Sequence, residues 1–542
     1  MGKHNIYMDL MSRERGTVIK DPGGRLNICL VYPNTYRTGM SNLGFTGIYS
    51  LLNQMDNVVC ERAFLPEEHD ITALERSRSQ LSSVESGRAL SSFDVIAFSI
   101  SFENDYPNAI RILSLAGIKL LGSERGDGDP LVILGGPCAF INPEPLAEFM
   151  DCIFIGEAEE TLDDMVNCVI SARDRAGRLR SLARIKGFYI PSYYSPVYKD
   201  SGELERMDKL VQSAPDRIER VIVENIDSTI LRSTVLSPDT EFSNMYLIEA
   251  MRGCPFSCRF CAAGHVYDPP RQRSVDVIEG EIAKLEGEKI KVGLIAPSLS
   301  DHKDINDLIE KNDVQFSITS LRANKRSAGL VRKMKNKRSV SIAPEAGSQR
   351  LRDVVKKKVT EANVISSSKA ILESGIKKLR LYFMVGLPTE SENDVDAIVE
   401  LVKKVRSTSK RGAISVTLSI FVPKPFTPFQ WCSMVDIKQA RERIKKIKKA
   451  LSKKGVRVSH DPVRDAYVQG ILANGDRRLS KFIIELSRGA NLKEALKASG
   501  TSMEHYVHRT KAFKEKFPWE IIDNGIQKDR LYDQYKKAIG QT

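Results

Sequence analysis

Two runs of alternating apolar strand and helix constrain this chain more than any other feature. The first starts at Leu26. LNICLVYP reads as a buried strand and MSNLGFTGIYSLLNQ as the helix after it. DVIAFSIS and DPLVILGGP are further strands, and AEFMDCIFIGEAEETLDDMVNCVI is helix end, strand, turn and helix. Short apolar strands between helices form a parallel sheet covered on both faces. The run therefore predicts an open, doubly wound, Rossmann-like α/β domain over residues 26–184. Ligands of such sheets bind at the carboxyl ends of the strands. Here those ends carry Ser99 and Ser101, Gly135 and Gly136, and Gly156, small residues that let a bulky planar ligand approach the backbone.

The second run offers YLIEAM, KVGLIAPS, VQFSITS, SVSIAPEA, KLRLYFMVGLP and AISVTLSIFVPKP as strands. Strands interleaved with helices predict a partial (β/α)6 barrel of TIM type over residues 244–435, with its site at the C-terminal strand ends. Residues 185–243 are aromatic and broken by proline, and read as a β-rich connector with a hairpin turn at DSGELERM. Residues 436–542 read as a basic helical C-terminal region. Ile437, Ala440, Ile444, Ile447 and Leu451 form one apolar stripe on its first helix. The rest of that helix is dense in Lys and Arg, with Glu442 the only acid between Lys438 and Arg457.

With 542 residues and no apolar run near the roughly 18 needed to span a bilayer, the chain has room for several domains and no expected membrane span. The start, MGKHNIYMDL, lacks a secretory h-region and the myristoylation pattern, so a cytoplasmic location is expected. A net charge of +13 can draw a polyanion. Nucleic acid stays among the partners on that ground but is not favoured, because a charge run is more often a solvated helix face.

Three of the nine cysteines, Cys254, Cys258 and Cys261, share one short segment, MRGCPFSCRFC. An odd count scattered over a long chain argues against a disulfide framework, and the other six are expected to pack as small hydrophobes. Three thiolates at C-x3-C-x2-C spacing can hold three irons of a [4Fe–4S] cubane and leave the fourth iron open to a ligand. The rival is a zinc site with His265 as fourth ligand, in a nucleic-acid-binding protein. Four ligands in so short a stretch are cramped, and zinc sites usually use two separated pairs.

The neighbourhood favours the cluster. Phe260 precedes the last cysteine. Ser298 and Asp301, Ser320 and Arg322, Glu345, and Gly386 to Glu390 follow successive barrel strands. Each alone reads as a helix cap; their repetition at strand ends is the stronger signal. His302, beside Asp301, is the one histidine outside the cysteine segment placed at a strand end.

MRGCPFSCRFC, IAPEAGSQRLRDVVKKKVT and LYFMVGLPTE resemble the radical S-adenosylmethionine superfamily barrel. LGGPCAFINPEPLAEFMDCIFIGEAEETL resembles the cobalamin-binding-type domain that precedes many such barrels. FVPKPFTPFQW, NGDRRL and FPWEIIDNGI resemble an incompletely characterised subgroup, so the resemblance runs from about residue 26 to 536. It implies that Cys254, Cys258 and Cys261 bind the cluster. Phe260, Ser298, Ser320, Arg322 and Glu345 would lie around S-adenosylmethionine, and Ser99, Ser101, Gly135, Gly136 and Gly156 around cobalamin. It also implies an external electron donor such as a flavodoxin or ferredoxin.

One departure stands out. Proteins that bind cobalamin through histidine carry D-x-H-x-x-G after the first strand, where this chain reads YPNTYRTGMSNLG. Bound cobalamin would then have no protein histidine on cobalt. A dinucleotide fingerprint, G-x-G-x-x-G, is not found there either. The expected activity is a 5′-deoxyadenosyl radical from a [4Fe–4S] cluster, used in cobalamin-dependent methyl transfer to an unactivated carbon. The alternative is a cobalamin-independent rearrangement, ring closure or tRNA modification.

Overall fold

The computed structural model describes residues 7–540 except 313, 319, 325, 326, 328 and 332–338; the side chain of Ser320 also lies outside the described set. The first run forms β1 (Leu26–Tyr32), β2 (Val58–Phe64), β3 (Val95–Ser99), β4 (Leu131–Gly135) and β5 (Cys152–Phe154), and the start of the connector adds β6 (Phe188–Tyr189) to the same sheet. Their order is β2-β1-β3-β4-β5-β6, all parallel except β6, which pairs antiparallel with β5. Successive residues of β1 serve opposite faces. Ile28, Leu30 and Tyr32 join Phe45, Leu52 and Val166 in one core, while Cys29 and Val31 join Phe98, Ile110 and Leu113 in the other. This is the doubly wound arrangement expected from strands that are apolar along their whole length.

The connector makes a hairpin of β7 (Tyr194–Tyr198) and β8 (Leu204–Lys209), then the short β9 (Ile218–Glu219). The second run gives β10 (Tyr246–Glu249), a ribbon of β11 (Met251–Arg252) and β12 (Arg271–Gln272), then β13 (Lys291–Ile295) and β14 (Gln315–Ser317). It continues through β15 (Ser320–Leu321), β16 (Ser339–Glu345), β17 (Lys378–Val385) and β18 (Ala413–Ile420). Parallel pairing runs β10-β13-β14 and β15-β16-β17-β18, the layout of an open barrel. VQFSITS, expected as one strand, is divided between the two groups: Gln315–Ser317 pairs with β13 and Ser320–Leu321 with β16.

The C-terminal region is mainly helical, and it also contributes two strands. β19 (Arg457–His460) extends the second sheet beside β18, and β20 (Ile522–Asp523) pairs with β9 of the connector. The region is riveted to both halves. Asn142 donates to the Ala473 and Gly475 carbonyls, Arg477 meets Glu144, and Trp519 donates to Gln430. The three tail motifs supply these rivets. Among the described residues, no helix is long and apolar enough to cross a membrane.

Candidate active site

The cysteine loop hangs from the β11/β12 ribbon, which pins both of its ends. Gly253 opens it at φ +78°, and a Cβ there would sit 2.4 Å from the Tyr267 carbonyl oxygen. Gly264 closes it, with room for no Cβ beyond 2.2 Å from the Phe256 oxygen. Cys258 is buried, while Cys254 and Cys261 are partly exposed, and the Cys261 N–H donates to the Cys258 carbonyl at 3.1 Å. Burial pushes the Cys258 thiol up to about 11, with the Lys357 charge acting in the opposite sense. Iron ligation would remove that proton. Of the other six cysteines, five are buried as expected and Cys168 is partly exposed.

His265 is buried, with Nε2 3.2 Å from the Cys258 carbonyl oxygen, so its ring braces the loop. Among the described residues, no group of three or more His, Cys, Asp or Glu converges on a single-ion site. The contact with the Cys258 carbonyl gives His265 a place within the loop's own fold. His302 is likewise structural: Nε2 lies 2.9 Å from the Arg273 carbonyl, and Nδ1 accepts the Asp304 N–H.

Residues 355–358 bring two strand-end groups to the loop. Glu345 ends β16 at φ +68° and pairs with Lys357 at 2.8 Å. Arg322, just past β15, lays its guanidinium 3.5 Å from the Phe256 ring centroid and donates to the Lys357 and Lys358 carbonyls. Phe260 is half-buried against the core. Ser298 follows β13, but its hydroxyl donates to Asp301 at 2.6 Å within its own turn. Of Ser320, only the backbone, in β15, lies within the described residues.

A cavity of about 520 Å³ opens between the two halves. Ser99, Ser101, Gly136 and Gly156 line it from the first sheet, Gly253 and Ala263 from the cysteine loop. An apolar slot of about 100 Å³ shares Ser99, Gly136 and Gly156 with it and adds Gly135, so all five expected small residues gather here. Gly136 and Gly156 are also required by the backbone. At φ +89° and +128°, Cβ atoms would come within 2.8 Å of Ile100 and 2.3 Å of Val221 backbone oxygens.

One charged seam along this cavity escaped the sequence reading. Glu157 accepts from Arg252 at 2.8 Å and from Arg271 at 2.7 Å, and Arg252 also meets Glu249 and Glu159. Burial opposes ionisation of Glu157, yet the two guanidiniums outweigh it and hold its carboxyl below the usual range. The available signal was positional: Glu157 follows a strand-end glycine, and Arg252 precedes the cysteine loop.

These features define a class, the iron–sulfur proteins built on an α/β barrel. The model for the radical SAM superfamily matches residues 248–402, and that for radical SAM proteins, N-terminal, matches 44–191. The uncharacterised protein MJ0966 of Methanocaldococcus jannaschii is 31% identical over 92% of this chain and 98% of its own length. A Pyrococcus horikoshii protein named as the uncharacterised methyltransferase PH0819 is 23% identical over 70% of this chain and 78% of its own. Among solved structures, the cobalamin-dependent S-adenosylmethionine radical enzyme OxsB, with aqua-cobalamin and S-adenosylmethionine bound, aligns at TM-score 0.45 and 15% identity. That alignment covers 80% of this chain and 56% of the OxsB chain. The chain belongs to the radical SAM superfamily. It is accordingly an enzyme whose cofactors are a [4Fe–4S] cluster and S-adenosylmethionine.

Proposed function

We propose that this enzyme is a cobalamin-dependent methyltransferase acting on an unactivated carbon. The observation that carries this reading is the shared cavity, whose walls come from the ends of the first sheet and from the cysteine loop itself. A planar corrinoid suits the wide part, and the apolar slot running under the sheet suits its tail. Cobalamin in that position would supply the methyl group, and the cluster with S-adenosylmethionine the 5′-deoxyadenosyl radical. Cys254, Cys258 and Cys261 would hold the iron, with Phe260, Ser298, Ser320, Arg322 and Glu345 around S-adenosylmethionine. Asn42 and Leu43 line the cavity at the segment where a ligating histidine would fall, so cobalt would have no protein imidazole. The methyltransferase name of the Pyrococcus relative agrees with this reading. The enzyme is read as cytoplasmic and dependent on an external one-electron donor.

The test is anaerobic equilibrium dialysis of the reconstituted protein with hydroxocobalamin. Expected is binding, with a cobalt spectrum lacking nitrogen coupling from protein histidine, and its loss in Ala158→Trp, which fills the mouth of the slot. No binding at tens of micromolar, about −6 kcal/mol of affinity, would remove cobalamin and methyl transfer together.

A further inference from the structure

The inward and outward faces of the cysteine loop treat positive charge differently. Inward, the cations are paired: Lys357 with Glu345, Arg252 with Glu157, Glu159 and Glu249, and Arg271 with Glu157. Outward, Arg259, Lys356, Lys358 and Arg530 gather, and none makes an ion pair among the described residues. Three chain segments supply them: the loop itself, the turn after Val355, and the helix Lys528–Ile539. Lys356 ties the three together, donating to Ser257 at 2.8 Å and Gln534 at 3.2 Å. Burial, then the charges of Lys358, Arg259 and Arg530, lower the pKa of this ammonium, so the four act on one another. Arg259 donates from Nη1 to the Asp353 and Val354 carbonyls at 3.3 and 2.7 Å, and its buried Nε has no hydrogen-bond partner among the described residues. The acids flanking these cations in sequence are Asp353, which accepts from Gln349, and Asp529 and Asp533 on the helix of Arg530, with Asp533 paired to Lys536 at 3.0 Å.

Gathering like charges destabilises a fold unless something of opposite sign visits. Here they surround the stretch where the loop meets solvent, with Pro255 and Lys358 exposed and Cys254 and Cys261 partly so. Electron transfer weakens steeply with distance, so a donor to this cluster must touch the protein close to the cysteines. We infer that the collar of Arg259, Lys356, Lys358 and Arg530 is the docking surface for an acidic one-electron carrier protein. The inference rests on the reading above that an external donor reduces the cluster. In the docked complex one electron leaves the carrier's reduced cofactor and takes the cluster from its 2+ to its 1+ state; no bond is made or broken.

The experiment uses the full-length, iron-reconstituted protein and the hydroquinone of an acidic bacterial flavodoxin in anaerobic stopped flow. The bimolecular rate constant of cluster reduction is expected to fall about tenfold or more between about 20 mM and about 300 mM salt. The double variant Lys358→Glu with Arg530→Glu should be at least about tenfold slower at low salt and nearly salt-independent. Its iron content and its reduction by dithionite should match the unmutated protein. Charge reversal of Lys445 and Lys449, on the helix Ile437–Ser452, should leave the rate unchanged. A collar variant with the original rate and salt slope overturns the docking site. So does a rate that drops only when Lys445 and Lys449 are reversed. Dithionite reduction without flavodoxin reduction at any salt overturns the carrier class, while loaded iron and bound S-adenosylmethionine keep the enzyme reading separate.

Discussion

Arg252 Nη1 lies 2.8 Å from Glu157 Oε2, and this pair joins the end of the first sheet to the residue two places before Cys254. Both side chains are buried. Arg252→Ala removes one partner and leaves Glu157, Glu159 and Glu249 short of compensation, so a loss of about 3–5 kcal/mol is expected. Glu157→Gln should cost less, because Arg252 keeps Glu249 and Glu159. Urea unfolding of both variants, together with iron content, checks the order.

Replacing Cys254, Cys258 or Cys261 with Ala should abolish iron loading and 5′-deoxyadenosine release, since each removes a thiolate. His265→Ala should keep its iron and lose about 1–2 kcal/mol from the broken contact to the Cys258 carbonyl. Iron and sulfide assays after anaerobic reconstitution separate the two outcomes.

Asp105 makes stability fall as pH rises. Its carboxylate is buried beyond β3, accepting from Asn34 at 2.8 Å and Asn108 at 3.3 Å. Burial pushes its pKa from 3.8 up to about 6, which those hydrogen bonds only partly offset. Between these values the folded state holds a proton that the unfolded state has released. The contribution is therefore full below pH about 4 and lost as pH passes about 6. Asp105→Asn should stabilise the protein by about 1–3 kcal/mol at neutral pH and by nothing near the lower limit. Chemical denaturation at a series of pH values reads this directly.

The basic helix Ile437–Ser452 is a packed element, with Ala440, Ile444, Ile447 and Leu451 buried as the apolar stripe predicts. Arg443 reaches Glu390 at 2.7 Å, at the end of the GLPTE loop, and Lys446 meets Glu392 and Asp396. Burial raises the Glu390 carboxyl, to about 7, with the Gly386 N–H and Arg443 pulling the other way. Arg443→Ala should cost about 3 kcal/mol by stranding Glu390. Lys445→Ala and Lys449→Ala, on the exposed face, should stay within about 0.5 kcal/mol. Thermal melts of the three variants give the comparison.

What could be read from the residues was local and periodic. β1, β3, β4 and β5 are short apolar runs that announce themselves without knowledge of their neighbours, whereas β2 was not legible because Glu61 and Arg62 interrupt VVCERAF. The cysteine loop is equally local. β19 was not legible, because RVSH buries only Val458 and becomes a strand through its pairing with β18. The break within VQFSITS is also a matter of partners, since its two ends pair in different groups of strands. Ser298 shows a contact that strand-end position does not announce: its hydroxyl donates to Asp301 within its own turn. The Glu157–Arg252 seam joins positions remote in sequence, and no window of neighbouring residues contains it.

Asn142 waits for carbonyl partners 331 and 333 positions further along the chain, and Glu144 for Arg477 beyond them. A ribosome still translating the tail holds a chain whose seam cannot close. A premature stop after residue 435 would release a product with this amide and this carboxylate unmet and apolar surface bare beside them. Such a fragment resembles a misfolded protein to a protease or chaperone. Closing this seam thus depends on residues 473–477, however early the strands they meet have formed.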